Sequence, residues 1–209
     1  MNKLILIFAM FIFLNIFAQD KFKIFSPPNN IGFGKSSDCT ELMPFVVNGP
    51  LVEEDGFPVG GYIDNFNIKK DWADPALKSG NFSMQNGIFG MKGNGTMFMV
   101  SYENRNSVEN IRWAFQNGMM LIINGNNICN PNSTNNHFTR SGIGFRADGS
   151  FVVVISLVPC TFWELAQTLL ENACTNAIYL DGGPPVGYSS FNPDEKLGLQ
   201  AELIKLQFF

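Results

Sequence analysis

The sequence predicts an α+β fold, a single mixed domain with a multi-stranded sheet core and few helices. Many short apolar runs are separated by turns rich in Gly, Pro and Asn, which is typical of β-strands. Only two stretches have the residue spacing of a helix. The roughly 190 residues after the N-terminal apolar segment suit one domain with a full core.

The first half of the chain predicts strands separated by polar turns. A strand and turn are expected over 22–34, where Pro27 and Pro28 exclude a helix. Strands are predicted next at 43–47, 59–63, 96–100 and 119–123, and segment 81–90 is predicted to place apolar residues around the Asn86-Gly87 turn. A short helix is predicted to begin at Ser107, with apolar members Val108, Ile111 and Trp113.

The second half predicts a long loop, a hairpin, a helix and two further strands. The Asn-rich segment 124–136 is predicted to be a long loop. Segments 142–146 and 150–156 form a predicted hairpin. The next helix has apolar residues at i, i+3, i+4, i+7 and i+8, namely Phe162, Leu165, Ala166, Leu169 and Leu170. A strand ending at Asp181 follows, and alternation over 197–209 predicts the last strand.

Two acidic residues of this half have structural explanations. Thr161 and Glu164 have the spacing of a capping box, in which the Glu side chain returns to the start of the helix. Asp148 belongs to the turn of the predicted hairpin. Neither is therefore taken as a catalytic acid.

The N-terminus has the layout of a secretory signal. Lys3 precedes an almost wholly apolar run over 4–17, and Ala18 offers a small residue before Gln19. We expect a signal peptide at 1–18 and one domain over 19–209, with a secreted or periplasmic location and no stable membrane span after cleavage. An uncleaved membrane anchor is the alternative, because Ile16 is a poor residue for the −3 position.

The charge of the chain argues against nucleic-acid binding as its function. The net charge is −4 and the basic residues are scattered, so nucleic-acid binding has no electrostatic support.

Cys160 and Cys174 flank the predicted helix and should not bridge each other. Pairing of Cys39 with Cys160 and Cys129 with Cys174, the reverse pairing, and buried free thiols all remain open. No metal motif or cofactor-binding motif is present.

The segment Asp181-Gly182-Gly183 is the strongest candidate for a site. It follows an apolar run, so a carboxylate stands at the end of a strand, and the glycines let a ligand approach the backbone. The alternative is an Asp that only caps a turn. Arg140 enters a strand from the long loop and could bind a phosphate or carboxylate with two hydrogen bonds, or form a surface salt bridge instead.

Other polar candidates lie in loops and turns. His137, the only histidine, is three residues before Arg140, although a loop histidine is often simply solvated. Three Asn-Gly steps could donate amides to sugar hydroxyls, and each is also an ordinary turn signal. These steps are Asn48-Gly49, Asn86-Gly87 and Asn117-Gly118.

From about Pro44 to Tyr188 the chain resembles the phosphodiester glycosidase family. The resemblance rests on five segments in the family's order: 47–49 with 55–60, 81–89, 114–121, 140–144 and 176–183. It implies an α+β fold in which the Arg and the Asp-Gly-Gly loop line one pocket. By position, it matches Asn48, Gln116, Arg140, Asp181 and Gly182 to pattern residues.

The resemblance implies a hydrolase that cleaves a sugar from a sugar-1-phosphodiester in a glycan or exopolysaccharide. Arg140 would hold the departing phosphate and Asp181 would act on the sugar side, with the remaining polar candidates binding substrate. Two departures are Pro50, and Pro184-Pro185 where the family has a serine. Because a lost hydroxyl could abolish turnover, the alternative is a binding module for phosphorylated or acidic glycans.

Overall fold

The computed structural model describes residues 21–26, 31–35, 45–50, 58–77, 86–132, 138–180, 188–190 and 204–208. These residues form three antiparallel sheets and one α-helix, which confirms the predicted α+β class. No helix within the described ranges is long and apolar enough to cross a membrane.

The largest sheet has six strands and carries the second half of the chain. Its strands are β1 (Phe22–Phe25), β9 (Met120–Ile123), β10 (Asn126–Asn127), β11 (Ser141–Arg146), β12 (Phe151–Ser156) and β13 (Cys174–Leu180). Their order across the sheet is β1-β12-β11-β13-β9-β10. The predicted hairpin of β11 and β12 is confirmed, and β13 lies beside β11 with Ser141 paired to Leu180.

A five-stranded sheet packs against the first. Its strands are β4 (Tyr62–Asp64), β5 (Asn67–Lys70), β6 (Gly87–Lys92), β7 (Met97–Ser101) and β8 (Ile111–Asn117), in the order β5-β4-β8-β6-β7. The third sheet has four strands, β2 (Ile31–Lys35), β3 (Phe45–Asn48), β14 (Tyr188–Ser190) and β15 (Ile204–Phe208), in the order β14-β3-β15-β2. Strand β15 lies within the predicted last strand.

The main core lies between the six-stranded and five-stranded sheets. Phe89 is at its centre, with no exposed surface, and meets Trp113 and Phe115 at ring-centroid distances of 5.7 and 5.6 Å. Across the interface it contacts Phe151 edge to face at 6.2 Å. Aromatic pairs in this geometry contribute beyond their buried area. The two sheets are therefore joined by tightly packed rings.

The helix, α1 (Phe162–Glu171), covers the other face of the six-stranded sheet. Its buried residues Leu165, Ala166 and Leu169 are those of the predicted apolar face. The capping box is confirmed, because the Thr161 hydroxyl accepts from the Glu164 amide at 3.1 Å and the Glu164 carboxylate accepts from the Thr161 amide at 2.8 Å. The start of the helix is fixed by these contacts.

The predicted helix from Ser107 is wrong. A 3-10 helix covers Tyr102–Ser107, and strand β8 follows it. Asn110 has φ 53°, in the left-handed region, which a continuing right-handed helix does not allow. Trp113 and Phe115 then reach the same core at the two-residue spacing of a strand.

The predicted loop 124–136 is also wrong at its start. Asn124 and Gly125 have φ values of 49° and 75°, so both lie in the left-handed region. This is the backbone of a two-residue hairpin turn, and Asn126 pairs with Ile123. Residues 128–132 belong to no strand or helix, as predicted, and residues 133–137 lie outside the described residues.

Candidate active site

Arg140 lies immediately before β11 and is buried, with 4% of its surface exposed. Its backbone pairs with Ser156, whose hydroxyl accepts from the Arg140 amide at 2.6 Å and whose amide donates to the Arg140 carbonyl at 2.8 Å. The alternative of an exposed surface salt bridge is therefore wrong. A guanidinium in the protein interior is retained only with compensating contacts.

Contacts with Cys160 and Phe162 help to orient the Arg140 guanidinium. Its Nε donates to the Cys160 carbonyl at 2.9 Å, and its Cζ lies 3.6 Å from the centroid of the Phe162 ring. The rings of Phe138 and Tyr179 are further away, each at 5.8 Å from Cζ. The arginine is thus stacked on one aromatic ring beside two others, and the electron-rich ring face partly compensates the buried charge.

The buried cysteines of the described residues are free thiols. Cys129, Cys160 and Cys174 are all unbridged, so the expectation that Cys160 and Cys174 do not pair is confirmed. The two disulfide pairings left open by the sequence are wrong for these residues, and Cys39 lies outside the described residues. Burial raises the pKa of Cys129 to about 12, although the positive charge of Arg140 opposes the shift. A thiol of this kind stays protonated and is a poor nucleophile.

The register of β11 and β13 brings together the residues next to Arg140 and Asp181 in the sequence. Ser141 follows Arg140 and pairs with Leu180, the last residue of β13. Asp181 follows Leu180 in the sequence but lies outside the described residues, as do Gly182, Gly183 and His137. Because their neighbours Ser141 and Leu180 are paired, we predict that Arg140 and Asp181 approach within roughly 10 Å, about the span of a bound phosphodiester.

Gln116 is fully buried, and its amide binds backbone. Its Oε1 accepts from the amides of Gly61 at 3.0 Å and Ala73 at 2.8 Å, and its Nε2 donates to the Ala73 carbonyl at 2.6 Å. These bonds attach segment 58–77 to β8. The Gln116 side chain therefore has a structural role in joining these segments, and its contact with substrate stays a prediction.

Two of the Asn-Gly steps lie where the chain passes from one sheet to the other. Asn117 ends β8, and its Nδ2 donates to the Tyr179 carbonyl of β13 at 2.5 Å. Asn86 precedes β6, and its Oδ1 accepts from the Met120 amide of β9 at 2.9 Å. A Cβ added to Gly118 would lie 3.0 Å from the Tyr179 ring. The structure thus brings Asn86, Asn117 and Gly118 to the Tyr179 end of β13.

The third step, Asn48-Gly49, lies in the four-stranded sheet. Asn48 ends β3 and pairs with Lys205, and Gly49 is buried. No described contact brings either residue to Arg140. Their assignment to substrate binding stays a prediction.

A cavity of about 510 Å³ lies at the opposite end of β13 from Arg140. Met97, Phe145, Phe151 and Asn176 contribute to its walls, whereas the candidate site is beside Leu180. The four-residue step along the strand from Asn176 to Leu180 corresponds to roughly 13 Å. The cavity is therefore separate from the candidate site. Within the described ranges, no group of three or more His, Cys, Asp or Glu residues could hold a metal ion.

The sequence profile of the phosphodiester glycosidase family matches residues 43–196, which is most of the chain. The chain belongs to the phosphodiester glycosidase family. The matched range agrees with the resemblance seen in the sequence, and the family assignment makes the protein a hydrolase acting on sugar phosphodiesters. No curated protein has a significant match to this phosphodiester glycosidase.

A solved catalytic domain shares the fold of this phosphodiester glycosidase. The zebrafish N-acetylglucosamine-1-phosphodiester alpha-N-acetylglucosaminidase catalytic domain, auto-inhibited by its pro-peptide, has a TM-score of 0.56 at 16% identity. The match covers 90% of this chain and 72% of that domain. A hypothetical protein from Synechocystis has a TM-score of 0.48 at 11% identity, over 91% of this chain and 57% of its own.

Sequence reasoning missed the aromatic surroundings of Arg140. Phe162 was predicted only as a member of the apolar helix face, and Phe138 and Tyr179 were not singled out. The available signal was position: Phe162 is the first residue of α1, and Tyr179 is two residues before Asp181. In this phosphodiester glycosidase, aromatic residues form much of the wall beside the candidate cation.

Proposed function

We propose that this phosphodiester glycosidase is an exported enzyme that cleaves a sugar from a sugar-1-phosphodiester in a glycan or exopolysaccharide. Arg140 binds the phosphate and Asp181 acts at the sugar. The observation that carries this proposal is the buried, stacked guanidinium of Arg140, held by Cys160 and Phe162 one residue from the Ser141–Leu180 pair. A guanidinium presents N–H groups in a planar fork that fits two phosphate oxygens.

The leaving group explains why one carboxylate is enough. Water adds to the anomeric carbon, the bond from that carbon to the phosphate oxygen breaks, and the phosphate leaves as a monoester. Since this monoester is a stable anion, the leaving oxygen does not need the protonated carboxylic acid that ordinary glycosidases supply. Asp181 accepts the proton of the attacking water or stabilises the positive charge that develops on the sugar.

The position of bond cleavage distinguishes this function from phosphodiesterase activity. A p-nitrophenyl diester of a sugar 1-phosphate, for example of N-acetylglucosamine, yields colourless p-nitrophenyl phosphate when the sugar bond breaks. Colour appears only after a phosphatase is added. In ¹⁸O water the label should enter the sugar hydroxyl. Direct release of p-nitrophenol, or label in the phosphate, would overturn the glycosidase assignment.

The roles of the two residues are tested with matched variants. Asp181→Asn should abolish turnover with little change in melting temperature, whereas Asp148→Asn, in an exposed hairpin turn, should keep it. Arg140→Lys should mainly raise KM, because the fork is lost. Arg146→Lys is its control at the other end of β11, where the Arg146 side chain donates to the Asn172 carbonyl. Full activity of Asp181→Asn would refute the site.

The binding-module alternative is favoured by one sequence feature. Pro184-Pro185 stands where the family has a serine, and proline has no backbone N–H donor. A protein that binds a sugar 1-phosphodiester, measured by calorimetry, but shows no turnover would establish this alternative.

Export is supported by the N-terminal apolar run over 4–17. The protein recovered from outside the cytoplasm should begin at Gln19. Intact-mass measurement decides this, and retention of residues 1–18 would refute cleavage.

A further inference from the structure

We propose that Phe162 is a positioning residue, whose ring holds the guanidinium plane of Arg140 in the orientation that binds the substrate phosphate. The inference rests on the proposed function of Arg140 and adds a residue to its site. The Arg140 Cζ lies 3.6 Å from the Phe162 ring centroid, which is the close approach of a stacked pair.

The contacts with Cys160 and Phe162 each restrict how the guanidinium is presented. The hydrogen bond from Nε to the Cys160 carbonyl fixes the direction of the side chain within its own plane. The Phe162 ring, with its centroid 3.6 Å from Cζ, lies against the guanidinium and opposes rotation of its plane. Binding two phosphate oxygens with parallel N–H groups requires both the direction and the plane to be correct.

The Phe162 ring is itself held in place. Phe162 is the first residue of α1, directly after the capping residue Thr161. Its ring meets the Tyr179 ring edge to face, with centroids 5.0 Å apart and planes at 88°. The Tyr179 backbone is bonded on both sides, by its amide to the Met119 carbonyl at 3.0 Å and by its carbonyl to Asn117. The Phe162 ring is thus supported from the side of β13 by the Tyr179 ring, whose own strand is held by these bonds.

Filling space does not explain the arrangement. A leucine at this position would occupy much of the same volume but would have no electron-rich face for a cation. The other rings that surround the guanidinium in the described residues, Phe138 and Tyr179, are 5.8 Å away, near the limit of this interaction. The close contact with Arg140 is thus specific to Phe162.

The test compares Phe162→Leu with Phe162→Tyr and with Trp163→Leu. Trp163 is the next helix residue and packs against the helix-side core, so its replacement measures the general cost of losing an aromatic residue there. Phe162→Leu should raise KM about tenfold with kcat changed less than twofold, because phosphate binding is lost equally in the ground state and the transition state. Phe162→Tyr should restore KM, and Trp163→Leu should not change it.

A second readout is independent of activity. In NMR spectra the ring above the guanidinium should shift the Arg140 Nε–Hε resonance upfield. This shift should vanish in Phe162→Leu and persist in Phe162→Tyr. If Phe162→Leu fails to fold, Phe162→Met supplies an apolar replacement that adapts to irregular space.

The outcomes separate the two proposals. A wild-type protein that turns over no sugar phosphodiester contradicts the proposed function, while the NMR shift still tests the stacking. An active protein whose KM is the same in Phe162→Leu refutes the positioning role. An equal rise in KM in Trp163→Leu refutes it too, because the effect would then be that of a disturbed helix.

Discussion

Replacing Gln116 with leucine tests whether its amide stabilises the fold or binds substrate. The side chain is fully buried, and its three hydrogen bonds to Gly61 and Ala73 join segment 58–77 to the central strand β8. Gln116→Leu keeps a similar volume and removes all three bonds. The backbone groups of Gly61 and Ala73 then lose these partners.

The expected destabilisation follows from the burial of those groups. Leaving a buried donor or acceptor unsatisfied costs about 1–3 kcal/mol. The Gly61 amide is buried and bears a full cost, while the two Ala73 groups are half-buried and bear less, which gives about 3–5 kcal/mol in total. Better burial of leucine offsets about 1 kcal/mol. The net loss of about 2–4 kcal/mol lowers the melting temperature by roughly 5–15 °C for a chain of this size.

Calorimetry on Gln116→Leu and on the control Gln167→Leu measures this directly. Gln167 donates to Glu171 on the exposed helix surface, so its replacement should change the melting temperature by no more than about 2 °C. If Gln116→Leu melts within about 2 °C of the wild type while KM rises more than tenfold, the reasoning fails and the amide belongs to substrate.

Three further predictions concern charge, thiols and packing. Hydrogen bonds from Lys21 and Thr161 outweigh burial and hold the pKa of Glu164 below its usual value. The stability that this carboxylate contributes is therefore present above its unfolded-state pKa and is lost as the pH falls through its folded-state pKa. Glu164→Gln should flatten this acid-side loss in urea titrations from pH 7 to pH 3. In Cys39→Ser no thiol should react with a thiol reagent until denaturant is added, because the remaining three are buried, and rapid labelling of the native protein would contradict this. Gly90→Ala should lower the melting temperature, since a Cβ there would lie 2.4 Å from the Trp113 carbonyl oxygen of β8, and an unchanged melting temperature would show that the strands can separate at low cost.

The parts of the fold predicted well are those set by local pattern. The capping box at Thr161 and Glu164 and the apolar face of α1 depend on residues at most a few positions apart. The segment around Ser107 failed for a local reason that pattern does not reveal, the left-handed backbone at Asn110. Asn124-Gly125 is a hairpin-turn signal, but the asparagines that continue beyond it make the whole segment 124–136 resemble a loop in composition.

The position of Arg140 at the start of a strand was predictable from the sequence, whereas the partners of its side chain were not. Arg140 was found because it stands at a strand start, but its stacking on Phe162 joins residues more than twenty positions apart, and sequence spacing contains no such information. Gln116 presents the same difficulty, since its amide binds Gly61 from another segment of the chain. A buried polar side chain is specified by where its partners fold, which is a property of the tertiary structure.

The corner between β8 and β9, where Asn117 and Asn86 each bond across to the six-stranded sheet, has a consequence for the energetics of binding. Sliding one sheet over the other would break hydrogen bonds at the end of the sandwich that carries Arg140. The described residues at this corner are therefore held in place before a ligand arrives, so little of their conformational entropy remains to be lost on association. Affinity should then be governed by the dissociation rate, and the association rate should vary little among variants of this surface.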